Sequence, residues 1–167
     1  MDERLEFLVR AVLIGAGATA VMDAWTVFTR RCFGVVPLDY AMVGRWIGHL
    51  PRGRLVHDAI ARAAPVRGER ALGWSAHYAI GIVFAAALLA IAGLDWARRP
   101  TVLPALVFGI LTVAAPFFVL QPALGAGIAA SRTPRPHAAR LRSLLTHAWF
   151  GLGLALSAWL QSLALRV

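Results

Sequence analysis

The sequence predicts an all-α, polytopic membrane protein with four transmembrane helices in a bundle. Its 167 residues are 59% hydrophobic and only 15% charged, whereas an ordinary soluble domain is about 25% charged. Four stretches are apolar over the roughly 20 residues that a helix needs to cross a bilayer. Because so short a chain cannot hide four such helices from water, lipid is their expected surrounding. We therefore expect a single membrane domain over residues 1–167.

The four predicted spans cover about residues 8–29, 71–95, 100–130 and 141–165. A single charge, Asp23, interrupts the first span, and the third is longer than one crossing needs. Pro116 and Pro122 lack the N–H that would continue the third helix, so a kink or an end is expected near Gln121. Carbonyls released there would line a cavity or coordinate a cation, or would be satisfied within a simple kink. Both alternatives stay open.

The connector of about residues 33–70 is predicted to be amphipathic and partly helical. A short helix is expected to begin near Pro37 and to run through Asp39–Leu50, before the break at Pro51–Gly53. A second short helix is expected over Leu55–Ala64. One or two helices of this kind would lie in the membrane interface. The alternative is a lid over a pocket that opens to the cytoplasm.

The charge of the chain comes from arginine. All 17 basic residues are Arg, and the net charge is +9. They lie between long uncharged runs, as in loops that flank spans, and do not form the cluster that nucleic-acid binding requires. We therefore expect no nucleic-acid partner, and instead a lipid bilayer whose anionic headgroups contact Arg. A second copy or a membrane partner subunit is also a candidate partner.

The distribution of arginine predicts the orientation. Twelve arginines lie in the connectors 30–70 and 132–142, and five lie on the other side. Cytoplasmic loops carry the excess of Arg and Lys. The prediction is a multi-pass membrane protein with both termini outside and both longer connectors in the cytoplasm.

Polar side chains within the spans are the candidate site. They are Asp23, His77, Gln121 and His147. Counted from the nearest boundary arginine at about 1.5 Å per residue, the acid and the two histidines lie about 8–10 Å inside the cytoplasmic face, and the glutamine lies about 16 Å inside. Each shares a helix face with Gly, Ala or Ser residues, which mark helix–helix contacts in membranes. We expect the four to converge in one polar layer that binds a ligand or cofactor.

Several functions are open for this layer, and whether the protein is an enzyme is undecided. His77 and His147 are positioned on separate helices, as axial haem ligands would be. With Asp23 they form the donor set of a transition-metal site. Proton-coupled transport of a small solute is an alternative, and so is a structural or assembly subunit whose polar residues only link helices. The remaining histidines, His49, His57 and His137, are expected to be solvated.

Four short segments carry a family resemblance. They are the run from Gly15 to Asp23, the segment from Gly73 to Tyr78, the stretch from Gln121 to Gly127 and the segment from His147 to Gly151. With them the sequence resembles an uncharacterised family of small bacterial integral membrane proteins, classified as a domain of unknown function. The resemblance implies a polytopic bacterial membrane protein and adds no activity, substrate or cofactor.

Overall fold

The computed structural model describes residues 2–164 and divides them into two compact units. The first unit comprises residues 2–35, 78–112 and 145–164, and the second comprises residues 36–77 and 113–144. The described residues contain helices and no β-strand, which confirms the all-α prediction. The α-helices are α1 (Glu3–Phe33), α2 (Tyr40–His49), α3 (Glu69–Ala92), α4 (Leu94–Arg98), α5 (Val102–Leu111), α6 (Gln121–Leu124) and α7 (Pro136–Ala164).

Four helical segments among the described residues are long and apolar enough to cross a membrane, as predicted. They are Glu3–Phe33, Glu69–Ala92, Val102–Leu124 and Pro136–Ala164. In α1, acidic residues occupy the first turn and Arg30 and Arg31 the last, so the charges complement the helix dipole. Gly34 ends this helix in the left-handed conformation, with φ of 64°, which glycine adopts without steric penalty.

The third apolar segment is interrupted, as the prolines predicted. Helix α5 ends at Leu111, a π-helical turn covers Pro116–Leu120, and the single-turn α6 ends at Gly125 with φ of 96°. Pro116 and Pro122 each stand at the first or second position of the element that they begin, where a missing N–H is tolerated. The helical backbone therefore changes pitch within a stretch that is otherwise continuously apolar.

The connector contains one α-helix, which agrees with the one or two short helices predicted there. Helix α2 begins where predicted, and the Asp39 side chain caps it by accepting a hydrogen bond from the Ala41 N–H at 2.9 Å. The predicted helix over Leu55–Ala64 is wrong, since only a 3₁₀ turn forms at Ile60–Arg62. The His57 N–H donates to the Ala123 carbonyl at 2.9 Å. This backbone bond to a distant segment replaces a local helical one.

Close helix contacts in the first unit use glycine. A Cβ on Gly15 of α1 would overlap the backbone at Ile82 of α3, and a Cβ on Gly109 of α5 would overlap the backbone at Gly151 of α7. This confirms the prediction that small residues mark helix contacts. The apolar core of the unit surrounds these contacts and includes Ile14, Leu89, Phe150 and Leu154.

One end of the first unit is joined by an ion network in which Glu6 and Arg10 are buried and Arg98 is exposed. Glu6 accepts hydrogen bonds from Arg10 Nε at 2.8 Å and from Arg98 Nη2 at 2.8 Å. Arg10, only 2% exposed, also donates to the Ala97 carbonyl at 3.2 Å. The hydrogen bonding that Arg98 donates to Glu6 is the main cause that raises the pKa of Arg98 well above its usual value. The network fixes α4 against the start of α1.

Candidate functional site

Asp23 of α1 is held by a tyrosine from α3. The Tyr78 hydroxyl donates to Asp23 Oδ2 at 3.1 Å, and both side chains are half-buried in the first unit. Burying a carboxylate on an apolar helix costs free energy unless polar groups form hydrogen bonds with it. The tyrosine supplies such a partner and links the two helices. Two residues further along α1, Trp25 stacks on Trp149 of α7, with the ring centroids 4.8 Å apart.

His147 of α7 has its tautomer fixed by a threonine at the end of α5. The Thr112 hydroxyl donates its only proton to the Gly109 carbonyl at 2.6 Å. It must therefore accept the second hydrogen bond that it makes, at 2.7 Å, from His147 Nδ1. In the neutral ring the lone pair then lies on Nε2. A histidine whose second nitrogen is anchored in this way is oriented to accept a proton or to ligate.

His77 belongs to an aromatic cluster in the second unit. Its Nε2 shares a hydrogen bond of 3.0 Å with the Tyr40 hydroxyl, and the two rings stack with centroids 4.1 Å apart. Trp74 packs edge-on against the same imidazole at 5.8 Å. The glycine that allows this approach is Gly73, where a Cβ would overlap the Tyr40 carbonyl. The cluster couples the start of α3 to α2.

Gln121, also in the second unit, is incompletely satisfied. Its Nε2 donates to the Ser143 hydroxyl at 3.3 Å, at the limit of a hydrogen bond. Its Oε1 is buried and has no hydrogen-bond partner within residues 2–164. The residue follows directly after the π-helical turn. Turns of this kind inside helices occur frequently at functional sites.

The prediction that His49 and His57 are solvated is wrong. Their side chains are 2% and 8% exposed, and His49 Nδ1 and His57 Nε2 are joined by a hydrogen bond of 2.9 Å. The other nitrogen of His57, Nδ1, is buried without a hydrogen-bond partner in the described part of the chain. The third histidine, His137, is exposed as predicted.

Arg45 of α2 organises the connector around this histidine pair. Its Nε and Nη2 donate to the two carboxylate oxygens of Glu69 at 2.9 and 2.8 Å. Its Nη1 donates to the carbonyls of Ile60, Ala61 and Ala63 at 3.2, 3.3 and 3.1 Å. The hydrogen bonds to Glu69 are the main cause that raises the pKa of Arg45. One guanidinium thereby ties the irregular segment 60–63 to the start of α3.

Each predicted site residue thus makes a contact inside one unit. Asp23 and His147 lie in the first unit, and His77 and Gln121 lie in the second. Their convergence in a single layer stays a prediction. Across residues 2–164, no three His, Cys, Asp or Glu side chains form a group that could hold a metal ion.

The partners of these residues were missed by the sequence analysis. All four are hydroxyl groups, from Tyr78, Thr112, Tyr40 and Ser143. Hydroxyl side chains are common in apolar helices, so none stands out by composition. Spacing places Ser143 on the helix face of His147, four residues away, but gives no sign that Ser143 pairs with Gln121.

Comparison with known proteins identifies a family and no relative of known activity. Residues 12–161 match the family described as "Protein of unknown function (DUF2938)". Neither the curated proteins nor the solved structures contain a match to this chain. The family match covers most of the chain and bears out the predicted resemblance to a domain of unknown function. The chain therefore belongs to the DUF2938 family.

Proposed function

We propose that this protein is a multi-pass protein of the bacterial inner membrane that binds a small polar ligand inside the bilayer, at the interrupted third span. The excess of Arg in the connectors 30–70 and 132–142 supports placing them in the cytoplasm and both termini outside. The ligand-binding face would then open toward the cytoplasm.

The single observation that carries the proposal is the buried Oε1 of Gln121, which finds no hydrogen-bond donor among the residues that the structure describes. A buried amide oxygen without a donor costs about 1–3 kcal/mol. In hydrocarbon no water is at hand to satisfy it. The chemistry that meets this need is a ligand with an N–H or O–H donor, or a small cation. The change of helical pitch at Pro116–Leu120 supports the same site, because broken helices in transporters form their binding sites.

Two further residues have supporting roles in this proposal. His77, held by Tyr40, lies in the same unit as Gln121 and would position or donate to the ligand. Ser143 holds the amide nitrogen of Gln121 and so fixes which end of the amide faces the ligand. The alternative to a small polar ligand is a haem or transition-metal cofactor at His77, His147 and Asp23. Analysis of the purified protein would detect this cofactor as well.

The test is the content of the purified protein. Full-length protein is extracted in mild detergent, and bound small molecules are released and measured by mass spectrometry, beside an absorption spectrum and elemental analysis. We expect a polar molecule or cation at near one per chain, lost in Gln121→Leu and retained in Gln161→Leu. Gln161 is a matched control, since its Oε1 is also buried without a hydrogen-bond partner in the described part of the chain but lies in the regular helix α7. Equal contents in the two variants would contradict the proposal.

The same preparation separates the cofactor alternatives. A Soret band that disappears in His77→Ala and His147→Ala would support haem in place of a small ligand. A bound metal lost in Asp23→Asn and in both histidine variants would support the transition-metal site. Protein that carries no bound molecule, cation, haem or metal would leave the structural-subunit alternative as the better explanation.

Proton-coupled transport is a second candidate, and the Asp23–Tyr78 pair favours it. Carboxylates inside spans mark proton pathways, and here a hydroxyl lies at 3.1 Å from the carboxylate. In proteoliposomes with a pH-sensitive dye inside, transport of the ligand found above should change internal pH. Asp23→Asn should abolish the change, while Asp95→Asn, at an exposed residue of α4, should preserve it. Unaltered proton movement in Asp23→Asn would refute this candidate.

A further inference from the structure

A surface cavity of about 440 Å³ lies in the second unit. The connector segment 54–63 lines it, and the polar side chains at its wall are Arg54, His57, Asp58 and Arg62. Its volume falls in the range of about 300–1,000 Å³ that is typical of small-molecule sites. No residue of the intramembrane site proposed above belongs to this wall.

Two arginines give the cavity a positive wall. Arg54 and Arg62 are exposed, and their guanidinium groups make no hydrogen bond or ion pair with other residues in the range 2–164. Asp58 is the one carboxylate at the wall. Two cations against one anion favour a negatively charged ligand. Planar guanidinium groups match the geometry of phosphate oxygens.

The histidine at the cavity wall supplies a neutral donor position. His57 is 92% buried, judged from its exposed fraction of 8%, and its Nδ1 has no hydrogen-bond partner within the described residues. The hydrogen bond from Nε2 to His49 Nδ1 orients the ring. If His49 donates in that bond, the proton of neutral His57 lies on Nδ1, where an anion would accept it. A bound anion would therefore favour the arrangement in which His49 donates to His57 Nε2 and His57 carries its proton on Nδ1.

The cavity is attached to the end of an apolar span. The His57 N–H donates to the Ala123 carbonyl, and a Cβ on Gly125 would overlap the Asp58 carbonyl. Helix α6 ends at that glycine. The segment that lines the cavity is thus anchored where the third membrane-capable helix stops, which is the level of lipid headgroups if the helix spans the bilayer.

We propose that this cavity binds a phosphate group through Arg54, Arg62 and His57 Nδ1. The phosphate belongs either to an anionic phospholipid headgroup or to inorganic phosphate, since both present the same oxygens. Lipid phosphate would tie the connector to the bilayer surface, and free phosphate would make the cavity a soluble-ligand site.

The experiment uses full-length protein in mild detergent, with two probes. The first is phosphatidylglycerol, with phosphatidylcholine as the zwitterionic comparison, counted on the intact protein by native mass spectrometry. The second is inorganic phosphate, titrated calorimetrically against chloride at equal ionic strength. The variants are Arg54→Gln, Arg62→Gln and His57→Phe. Arg52→Gln is the matched control, because Arg52 is exposed two residues before the lining segment 54–63 and does not line the cavity.

We expect each arginine variant to bind the preferred probe about fivefold more weakly, as expected for one surface arginine near an anionic headgroup. Arg52→Gln should bind as the unmodified protein does. If the protein retains phosphatidylglycerol in preference to phosphatidylcholine, the bound phosphate group belongs to a lipid. If it binds inorganic phosphate and the cavity variants weaken that binding, the ligand is the free anion. Binding of neither probe, or equal weakening in Arg52→Gln and the cavity variants, would overturn the proposal. The arginine variants test it even if His57→Phe fails to fold.

Discussion

Arg45 offers the sharpest test of how the connector is held. Its guanidinium makes two hydrogen bonds to Glu69 and three to carbonyls of segment 60–63. The side chains of the pair are only 15% and 18% exposed. Replacing the arginine by methionine keeps much of the side-chain volume. Within residues 2–164, the Glu69 carboxylate then retains the Val66 N–H, at 2.9 Å, as its hydrogen-bond donor.

The expected magnitude follows from this near-burial. Breaking a buried ion pair from one side costs about 3–5 kcal/mol, and the residual exposure of this pair reduces the figure to about 2–4 kcal/mol. Glu69→Met should cost a similar amount, since it leaves Arg45 unpaired. The double variant Arg45→Met/Glu69→Met should lose about 2 kcal/mol less than the sum of the single variants, because no unpaired charge remains.

The assay is unfolding in detergent micelles, followed by the fluorescence of the six tryptophans. The raised pKa of Arg45 keeps it charged at every accessible pH. A cation with a raised pKa contributes stability below its unfolded pKa and loses it only as pH rises through the folded value. The deficit of Arg45→Met should therefore be constant from about pH 7 to pH 10. Ordinary surface substitutions change stability by no more than about 0.5 kcal/mol. A deficit of Arg45→Met below about that value would refute the reasoning, and so would strict additivity in the double variant.

Two further predictions concern the backbone of the second unit. Gly73→Ala should destabilise the protein by about 1–3 kcal/mol in the same assay, because the added Cβ would overlap the Tyr40 carbonyl. The control is Ser75→Ala, at an exposed site of the same helix, which should have no such effect. Equal losses of stability in the two variants would contradict the contact between Gly73 and Tyr40. Ala129 has φ of 46° and ψ of 47°, a left-handed conformation that strains alanine by about 1–2 kcal/mol. Ala129→Gly should therefore stabilise the protein by about 0.5–1 kcal/mol after the entropy of unfolded glycine is subtracted, and a lower melting temperature would show that the strain is absent.

The long helices could be predicted because their cause is local in the sequence. An apolar run of sufficient length forms a helix that satisfies every backbone group within itself, whatever lies around it. The interruption of the third helix was predictable for the same reason, since a proline removes a backbone donor at its own position. Gly15, on the helix face of Asp23, and Gly151, on that of His147, are among the small residues expected at helix contacts, and both lie at such contacts.

The histidine pair could not be predicted, because its burial depends on contacts far along the chain. Residues 55–64 have a pattern that would suit a short helix, and a helix there would leave His57 at the surface. In the fold, the His57 N–H bonds to Ala123 and Arg45 fixes the carbonyls of segment 60–63. These long-range contacts outweigh the weak helical preference of a ten-residue segment. No periodicity in the segment itself carries that information.

Hydrogen bonding separates the linking polar residues from the binding ones. Asp23, His77 and His147 each contact a hydroxyl or aromatic neighbour on another helix, and such bonds join helices without needing a ligand. Gln121 Oε1 and His57 Nδ1 are different, since both are buried without a partner among the described residues. Buried polar atoms are satisfied in the great majority of cases, so an exception requires an explanation. A third such atom, Gln161 Oε1, lies in the regular helix α7 of the first unit. The other two lie in the second unit, at the single-turn helix that ends the interrupted span or at the segment bonded to it, and this is where ligands should be sought first.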